Sequence, residues 1–336
     1  MKIIDLFSGI GGFSLGFQRA GYQFTEHYFS EIDKHAIANY KYNFPNAKHI
    51  GNIKTIQPAD LAGADIITFG SPCQDFSLAG KRAGLKGSKS SLIEYAIALI
   101  ACVRPSVFIW ENVKGAFSSN ARADFWAIIK ALTNIGGYTI EWQLLNTSWV
   151  LPKNRERLYL IGHLAGQSEQ GVFPITEDDC LPTTKTQSQS QTTISTTLKA
   201  NGNMNADDTY IIPKKASTLT AGGKSGGLHS DMTVIRQLPR GKNKGADLKI
   251  CPTISSNAFQ ENNLLCGIRR LTEIECERLQ GFPDNWTQYG NYKGKIKRIS
   301  KTNRYKLIGN AVTVDIVELI AKRLNFSAHL TDKVTK

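Results

Sequence analysis

Asp5-Leu6-Phe7-Ser8-Gly9-Ile10-Gly11-Gly12 stands between an apolar run that begins at Lys2 and a helical pattern that extends to Ala20. Strand, glycine turn and helix follow one another here. The glycines permit positive φ and let a ligand approach the backbone and the helix N-terminus. The full dinucleotide fingerprint is absent, so the turn by itself names no cofactor. Downstream, Phe24 to Ser30 reads as a second strand, and Glu31 ends it with a carboxylate placed to accept hydrogen bonds from ribose hydroxyls. Turn and acid together point to a nucleoside-containing ligand.

The same alternation continues through the first half of the chain. Helical spacing is expected from about Asp33 to Tyr42, Ser91 to Val103 and Arg122 to Thr133. Strands are expected at Ala64 to Gly70, Ser106 to Trp110, Tyr138 to Leu145 and Arg157 to Gly162. This rhythm predicts an α/β fold, a parallel, doubly wound sheet with ligands at the carboxyl ends of its strands. The character changes near Leu164. From there to about Gly267 the chain is rich in Thr, Ser, Gly, Gln and Asn, and three short segments echo one another: Thr196-Thr197-Leu198, Ser217-Thr218-Leu219 and Pro252-Thr253-Ile254. They predict a small, irregular β-rich insertion. Thr272 and Glu275 then form a capping box, and a last amphipathic helix is expected from about Thr313 to Leu324. The expected division is a catalytic domain over 1–164, an inserted domain over 165–267 and a segment over 268–330 that completes the first.

A formal net charge of +13 over 336 residues suggests a polyanionic partner, most often nucleic acid. The six cysteines are scattered, without Cys-x-x-Cys or Cys/His clusters, so no zinc site or disulfide framework is indicated. No stretch approaches the roughly 20 apolar residues of a membrane span, and no leader-like segment stands at the N-terminus. A reducing, cytoplasmic setting is expected.

Four residues could carry chemistry. Cys73, in Ser71-Pro72-Cys73-Gln74, follows a buried strand and is held by a proline, a suitable setting for a nucleophile. A buried structural thiol is the alternative for that residue alone. Glu111-Asn112-Val113 follows the next expected strand, so Glu111 should emerge at the same sheet edge and face the thiol, an arrangement suited to acid–base work on a ring. Arg155 and Arg157 are two residues apart, so on an extended segment both could reach one ligand.

In number and order these fragments resemble the bacterial and phage cytosine-C5 DNA methyltransferases over nearly the whole chain. The turn from Phe7 through Gly9, Gly11 and Gly12 is similar to that family's S-adenosylmethionine loop. Glu31 resembles its ribose-binding acid, with Ile32 beside the adenine. Gly70-Ser71-Pro72-Cys73-Gln74 is similar to the nucleophile motif, Glu111-Asn112-Val113 to the cytosine-contacting motif and Arg155-Glu156-Arg157 to the paired-arginine motif. Arg270-Leu271-Thr272, Glu275 and Arg278-Leu279-Gln280-Gly281-Phe282-Pro283 resemble the motif that buttresses the recognition domain. Gly309-Asn310-Ala311-Val312 resembles the last motif, implying that Asn310 and Val312 complete the cofactor site. Two positions depart from the pattern. Asn52, next to Ile53 in the cofactor site, stands where the family has an acid that meets the adenine amino group; its side-chain oxygen is expected to accept that bond. Lys153 opens the arginine motif in place of Gln.

The resemblance implies a Rossmann-like methyltransferase sheet with an inserted target-recognition domain. It also implies S-adenosyl-L-methionine as cofactor, S-adenosyl-L-homocysteine as its product, no metal and double-stranded DNA as partner. The thiolate of Cys73 would attack cytosine C6, with Glu111 at N3 and Arg157 at O2, after the base has left the stack. Ser77 to Ser91 is expected to close over that base, with Lys81, Arg82, Lys86 and Lys89 on phosphates. Thr218 and Leu219 resemble the Thr-Leu pair of recognition domains. The run from Lys293 to Lys306, with seven Lys/Arg and no acid, is expected to lie along the DNA backbone. Monomeric action in a bacterial or phage-infected cell is implied, with any cognate restriction endonuclease acting separately. RNA is the competing substrate, since one branch of the family modifies tRNA; the long insertion and the missing Cys-Phe-Thr signature favour DNA.

Overall fold

The structure, a computed structural model, describes residues 1–71, 92–118, 122–180, 235–237, 246–248, 263–265 and 269–327. The first half folds as β1 (Lys2–Leu6), α1 (Gly12–Arg19), β2 (Glu26–Ser30), α2 (Lys34–Asn43), β3 (Lys48–His49) and β4 (Ile66–Gly70). It continues as α3 (Leu92–Val103), β5 (Val107–Val113), α4 (Lys114–Ser118), α5 (Ala123–Thr133), β6 (Tyr138–Asn146) and β7 (Glu156–Leu164). These strands form one seven-stranded sheet in the order β3-β2-β1-β4-β5-β7-β6. The chain winds outward in both directions from β1 and β4, so the crevice at their carboxyl ends is the switch point where ligands bind.

The expected all-parallel sheet is corrected at one strand. β7 runs antiparallel to both β5 and β6. Its link from β6, residues 147–155, is too short for the crossover of about a dozen residues or more that parallel strands need. β5 is also longer than expected. Because β7 pairs with it through Glu111, Asn112 and Val113, those residues lie within the strand rather than beyond it.

Strand alternation sends Ile3, Ile66, Val107, Ile109 and Ile161 to one face of the sheet. There they meet α1 and the C-terminal helix α8 (Val314–Lys322). Ile4, Ile67, Phe69, Phe108, Trp110 and Leu160 face α3 and α5 on the other side. α1 and α8 approach closely: a Cβ on Gly16 would stand 2.5 Å from Val317 Cγ1. Between them in sequence come β8 (Ser168–Glu169) and the short strands β9 (Ile235–Gln237), β10 (Ala246–Leu248), β11 (Asn263–Leu265) and β12 (Arg269–Arg270). The last four form a separate antiparallel sheet. They are followed by α6 (Glu273–Arg278), the hairpin β13 (Tyr289–Tyr292) and β14 (Lys295–Arg298), α7 (Lys301–Asn310), α8 and β15 (Asn325–Phe326). The Thr272–Glu275 capping box forms as read.

Residues 168–180 pack on the sheet domain. β8 pairs with β15, and Val172 and Ile175 join the core beneath α8. Ser168, His163 and Glu141 form a hydrogen-bonded chain, 2.9 and 2.8 Å, whose composition is that of a hydrolase triad. Ser168 and His163 are buried, and the Ser168 hydroxyl donates to the Asn325 carbonyl, so the chain fastens β15 instead. One part of the basic run also changes role. Arg304 is buried and paired with the fully buried Glu277 at 2.9 Å, so it holds α7 to α6 and does not reach DNA.

A polar network lies under the glycine turn. Asp5 accepts hydrogen bonds from Thr68, Ser14 and Tyr40, and His27 touches both Ser14 and Tyr40. Burial raises the Asp5 carboxyl from its ordinary 3.8 to about 7 and lowers His27 from 6.5 to about 4, so both groups are neutral in the fold at mildly acid pH. Neutral Asp5 therefore gives stability that is fully present below its unfolded value and is lost as pH rises through about 7. His27 acts oppositely, losing stability as pH falls. Urea unfolding of wild type and Asp5→Asn from pH 4 to pH 8 should isolate the first effect, since His27 is common to both. The stability difference should move toward the variant as pH rises, by on the order of a few kcal/mol; a difference independent of pH would contradict the assignment.

Candidate active site

β1 ends at Leu6, and the turn that follows is built on unusual backbone: Phe7, Gly9 and Gly11 have φ of 52°, 53° and 85°. A Cβ on Gly11 would collide with the Phe44 ring at 2.4 Å, and one on Gly12 would meet Val312 Cγ2 at 2.6 Å. Gly9 faces open space instead. Its N–H donates to Glu31 Oε2 at 2.9 Å, and Glu31 Oε1 accepts from the N–H groups of Ile32 and Asp33. The acid at the end of β2 is thus fixed against the turn after β1. Ser8 Oγ is buried and has no hydrogen-bond partner among the described residues. Ile32, 73% exposed, stands beside Glu31 as an apolar platform in solvent.

Asn52 is exposed, and its Oδ1 accepts from the Lys54 N–H at 3.1 Å, capping a short 3-10 turn. That oxygen thus already accepts one hydrogen bond and keeps a second lone pair. Ile53 is buried in the core, with Phe7 packed against the same cluster, so its side chain supports the floor of the site. Asn310, the last residue of α7, is exposed, whereas Val312 folds in against Gly12 and Gly70.

The second half of the site lies across β4, β5 and β7. Glu111 is 8% exposed and forms an ion pair with Arg157 Nε at 3.1 Å. The geometry is not that of a hydrogen bond, so the buried Glu111 Oε1 keeps its accepting capacity. A Cβ on Gly70 would come within 3.3 Å of Glu111 Oε2, so the small residue at the end of β4 makes room for the carboxylate. Arg155 diverges from Arg157. Its Nη2 donates to the Ala311 carbonyl at 3.0 Å, tying the arginine motif to the C-terminal turn, so the two guanidiniums do not share one ligand as the spacing suggested. Lys153 is fully buried.

Cys73, Lys81, Arg82, Lys86 and Lys89, like Thr218 and Leu219, lie outside the described residues. The root of the Cys73 segment is described. Ser71 Oγ accepts from Trp110 Nε1 at 3.0 Å and from Asn112 Nδ2 at 2.9 Å, while Asn112 Oδ1 accepts the Val113 N–H. Trp110 and Asn112, two apart on one strand, thus clamp the start of the thiol segment while Glu111 points to the other face. Neither the extension of the strand through Asn112 nor the partner Ser71 was readable in the sequence. Two further braces also escaped it. Trp286 Nε1 donates to the Ile10 carbonyl at 3.0 Å, inside the glycine turn. Gln280 Nε2 donates to the carbonyls of Ile308 and Ala311.

A glycine turn after β1, an acid after β2 and a carboxylate opposite the end of β4, on a sheet of this order, define an α/β methyltransferase. The chain belongs to the C-5 cytosine-specific DNA methylase family, whose model matches residues 1–325. It is 30% identical over 337 residues to a type II methyltransferase of Bacillus sp. (strain RFL6), M.Bsp6I, covering 96% of this chain and 98% of that one. It is 25% identical to M.SPRI, an orphan methyltransferase of Bacillus phage SPR, over 96% and 97% of the two chains. Two solved structures share the fold. One is a DNA modification methyltransferase encoded within an E. coli prophage, with TM-score 0.56, 22% identity and 96% and 97% coverage. The other is S. pombe Dnmt2, with TM-score 0.59, 19% identity and 96% and 97% coverage.

Removing one donor from Ser71 tests the clamp. Asn112→Ala should lower kcat about 10- to 100-fold, since a small misplacement of reacting groups carries a cost of that order. Its melting temperature should stay within a few degrees of wild type. Steady-state kinetics beside thermal unfolding would expose a purely structural role, in which both fall together.

Proposed function

We propose that the protein transfers a methyl group from S-adenosylmethionine to C5 of a cytosine flipped out of duplex DNA at a specific sequence, in a restriction-modification system or as an orphan or phage enzyme. The observation that carries this is the buried Glu111–Arg157 pair set opposite the end of β4, from which the Cys73 segment leaves. It brings acid and guanidinium together in one crevice, and the family membership supports assigning the Cys73 thiol as their nucleophilic partner.

The residues fit the cofactor. Open space over Gly9, the unpartnered Ser8 oxygen, the Glu31 carboxylate and the exposed Ile32 form a cradle for a nucleoside with a polar tail. Phe7, Gly11, Gly12, Asn310 and Val312 would enclose it, and Asn52 would lie at its purine edge. When bound, S-adenosylmethionine supplies the methyl group that cytosine C5 accepts. The remaining work belongs to the chain. The Cys73 thiolate bonds to C6 and breaks the aromatic 5,6 double bond, pushing its electron pair toward C5 and N3. Glu111 meets the developing charge at N3 through a shared proton, and Arg157, already beside it, holds O2. After C5 is methylated, its proton passes to water, the C–H electron pair re-forms the 5,6 double bond, and the C6–S bond breaks, returning Cys73 as thiolate.

Recognition is assigned to the inserted segment, including Thr218 and Leu219, and phosphate contacts near the flipped base to Lys81, Arg82, Lys86 and Lys89. Because residues 168–180 pack on the catalytic sheet, the recognition region is taken to begin beyond Cys180 rather than at 165. No helix among the described residues is long and apolar enough to cross a membrane.

Transfer of tritiated methyl to duplex DNA is the direct test. Label should appear on cytosine C5 and vanish in Cys73→Ala, while Glu111→Gln should lose roughly 100-fold or more, as expected for general acid–base and electrostatic roles. Duplex DNA left unlabelled while tRNA is methylated would overturn the substrate. Asn52, its one side-chain oxygen already capping Lys54 N–H, offers a neutral amide where an acid would offer a charged acceptor. Asn52→Asp should therefore tighten S-adenosylmethionine binding severalfold, a hydrogen-bond effect of about 1 kcal/mol, read by calorimetry.

A further inference from the structure

The β13–β14 hairpin carries four cations that the fold does not use. Lys293, Lys295, Lys297 and Arg298 are all exposed, and none forms an ion pair or side-chain hydrogen bond among the described residues. Nearby cations differ. Arg304 is consumed by Glu277, and Lys306 is paired with Asp33 at 2.6 Å. No acidic residue occurs between Tyr289 and Lys306, so nothing within the ribbon offsets the repulsion among neighbouring like charges.

The ribbon is nevertheless firmly mounted. Gly290 lies so close to α2 that a Cβ there would stand 2.9 Å from Ala38 Cβ. Asn39 Nδ2 donates to the carbonyls of Trp286 and Tyr289, and the Tyr292 hydroxyl meets His35 Nδ1 at 2.6 Å. The Ile299 N–H closes the base onto the Gln288 carbonyl, with Ile299 buried beneath. Cations held on such a scaffold lose little backbone freedom when they meet a ligand. The mount also fixes where they stand. α2 begins just after Glu31 and Ile32, and the exposed Lys34 of its first turn adds another positive charge. The hairpin therefore stands on the β2 side of the crevice.

We propose that this hairpin is a second duplex-DNA contact, gripping backbone phosphates outside the recognised sequence. The proposal rests on the DNA-methylation reading above. Lys295 and Lys297 share one face of β14, about 6.8 Å apart, and Arg298 serves the other, so the ribbon presents positive charge suited to phosphates on both faces. It adds affinity and register and leaves sequence choice to the recognition region.

The test is the salt dependence of duplex binding, by fluorescence anisotropy with the full chain on target and unrelated 30-mers from 50 to 300 mM KCl. Each lost phosphate contact should reduce the slope of log affinity against log salt by about 0.9. The variant Lys295→Gln/Lys297→Gln/Arg298→Gln should therefore lose about 2 to 3 units of slope, equally on both duplexes. Lys130→Gln, an exposed change on α5 near the opposite sheet edge, should leave the slope alone. If the triple variant melts early, Lys293→Gln/Lys295→Gln supplies the reading, with a loss of about 1.8. An unchanged slope in an enzyme that still methylates DNA overturns the hairpin contact and spares the functional reading. A wild type that neither binds nor methylates duplex DNA overturns both. Loss of affinity for structured RNA with duplex binding intact would assign the hairpin to RNA and also overturn it.

Discussion

Val312 lies against Gly12 so closely that a methyl group on the glycine would stand 2.6 Å from it, and the site depends on that approach. Residues 300 apart in sequence meet there, one opening the ligand turn and the other closing it. Around the contact, Phe282 fills the space beside Gly12, Trp286 bonds to the Ile10 carbonyl, and Gln280 gathers the end of α7. α8 then runs along α1 with Gly16 under Val317. The chain can leave the sheet domain after Cys180 and return to it through α7 and α8 because this seam is narrow and apolar. Dense contact of this kind tolerates little change in volume.

The catalytic crevice uses alternation along a single strand. Trp110 and Asn112 point one way and hold Ser71; Glu111 points the other way and meets Arg157. One strand thereby sets both the start of the thiol segment and the acid expected to face it. β7 braces this by pairing antiparallel with β5 through Val113. Arg155, just before β7, extends the bracing to Ala311, so the arginine motif divides between a strut and the ion-pair partner of Glu111.

Charge is sorted by burial. Glu277 and Arg304 form an internal pair, with Glu277 also accepting from the N–H groups of Asn285 and Thr287. Breaking such a pair strands an ion in the interior, which is why it is kept complete. The cations of the hairpin have no ion-pair partner among the described residues and stand at the surface, where water solvates them. A run that looks uniform in sequence therefore holds both structural and surface charge.

The order of strands and helices, the glycine turn, the capping box and the acid after β2 were legible in the sequence because each is a local pattern. Periodicity, φ requirements and capping act within a few residues, and a resemblance in motif order supplied the chemistry. The antiparallel β7, the extension of β5 through Glu111, the burial of Arg304, the divergence of Arg155 and the capping role of Asn52 were decided only by tertiary structure. Each depends on which partner occupies the neighbouring space. Strand direction depends on the neighbouring strand, burial on what packs above, and a side-chain oxygen on the nearest N–H. Local sequence determined the elements and their candidate chemistry; contacts between distant segments determined which of those groups face the crevice and which hold it together.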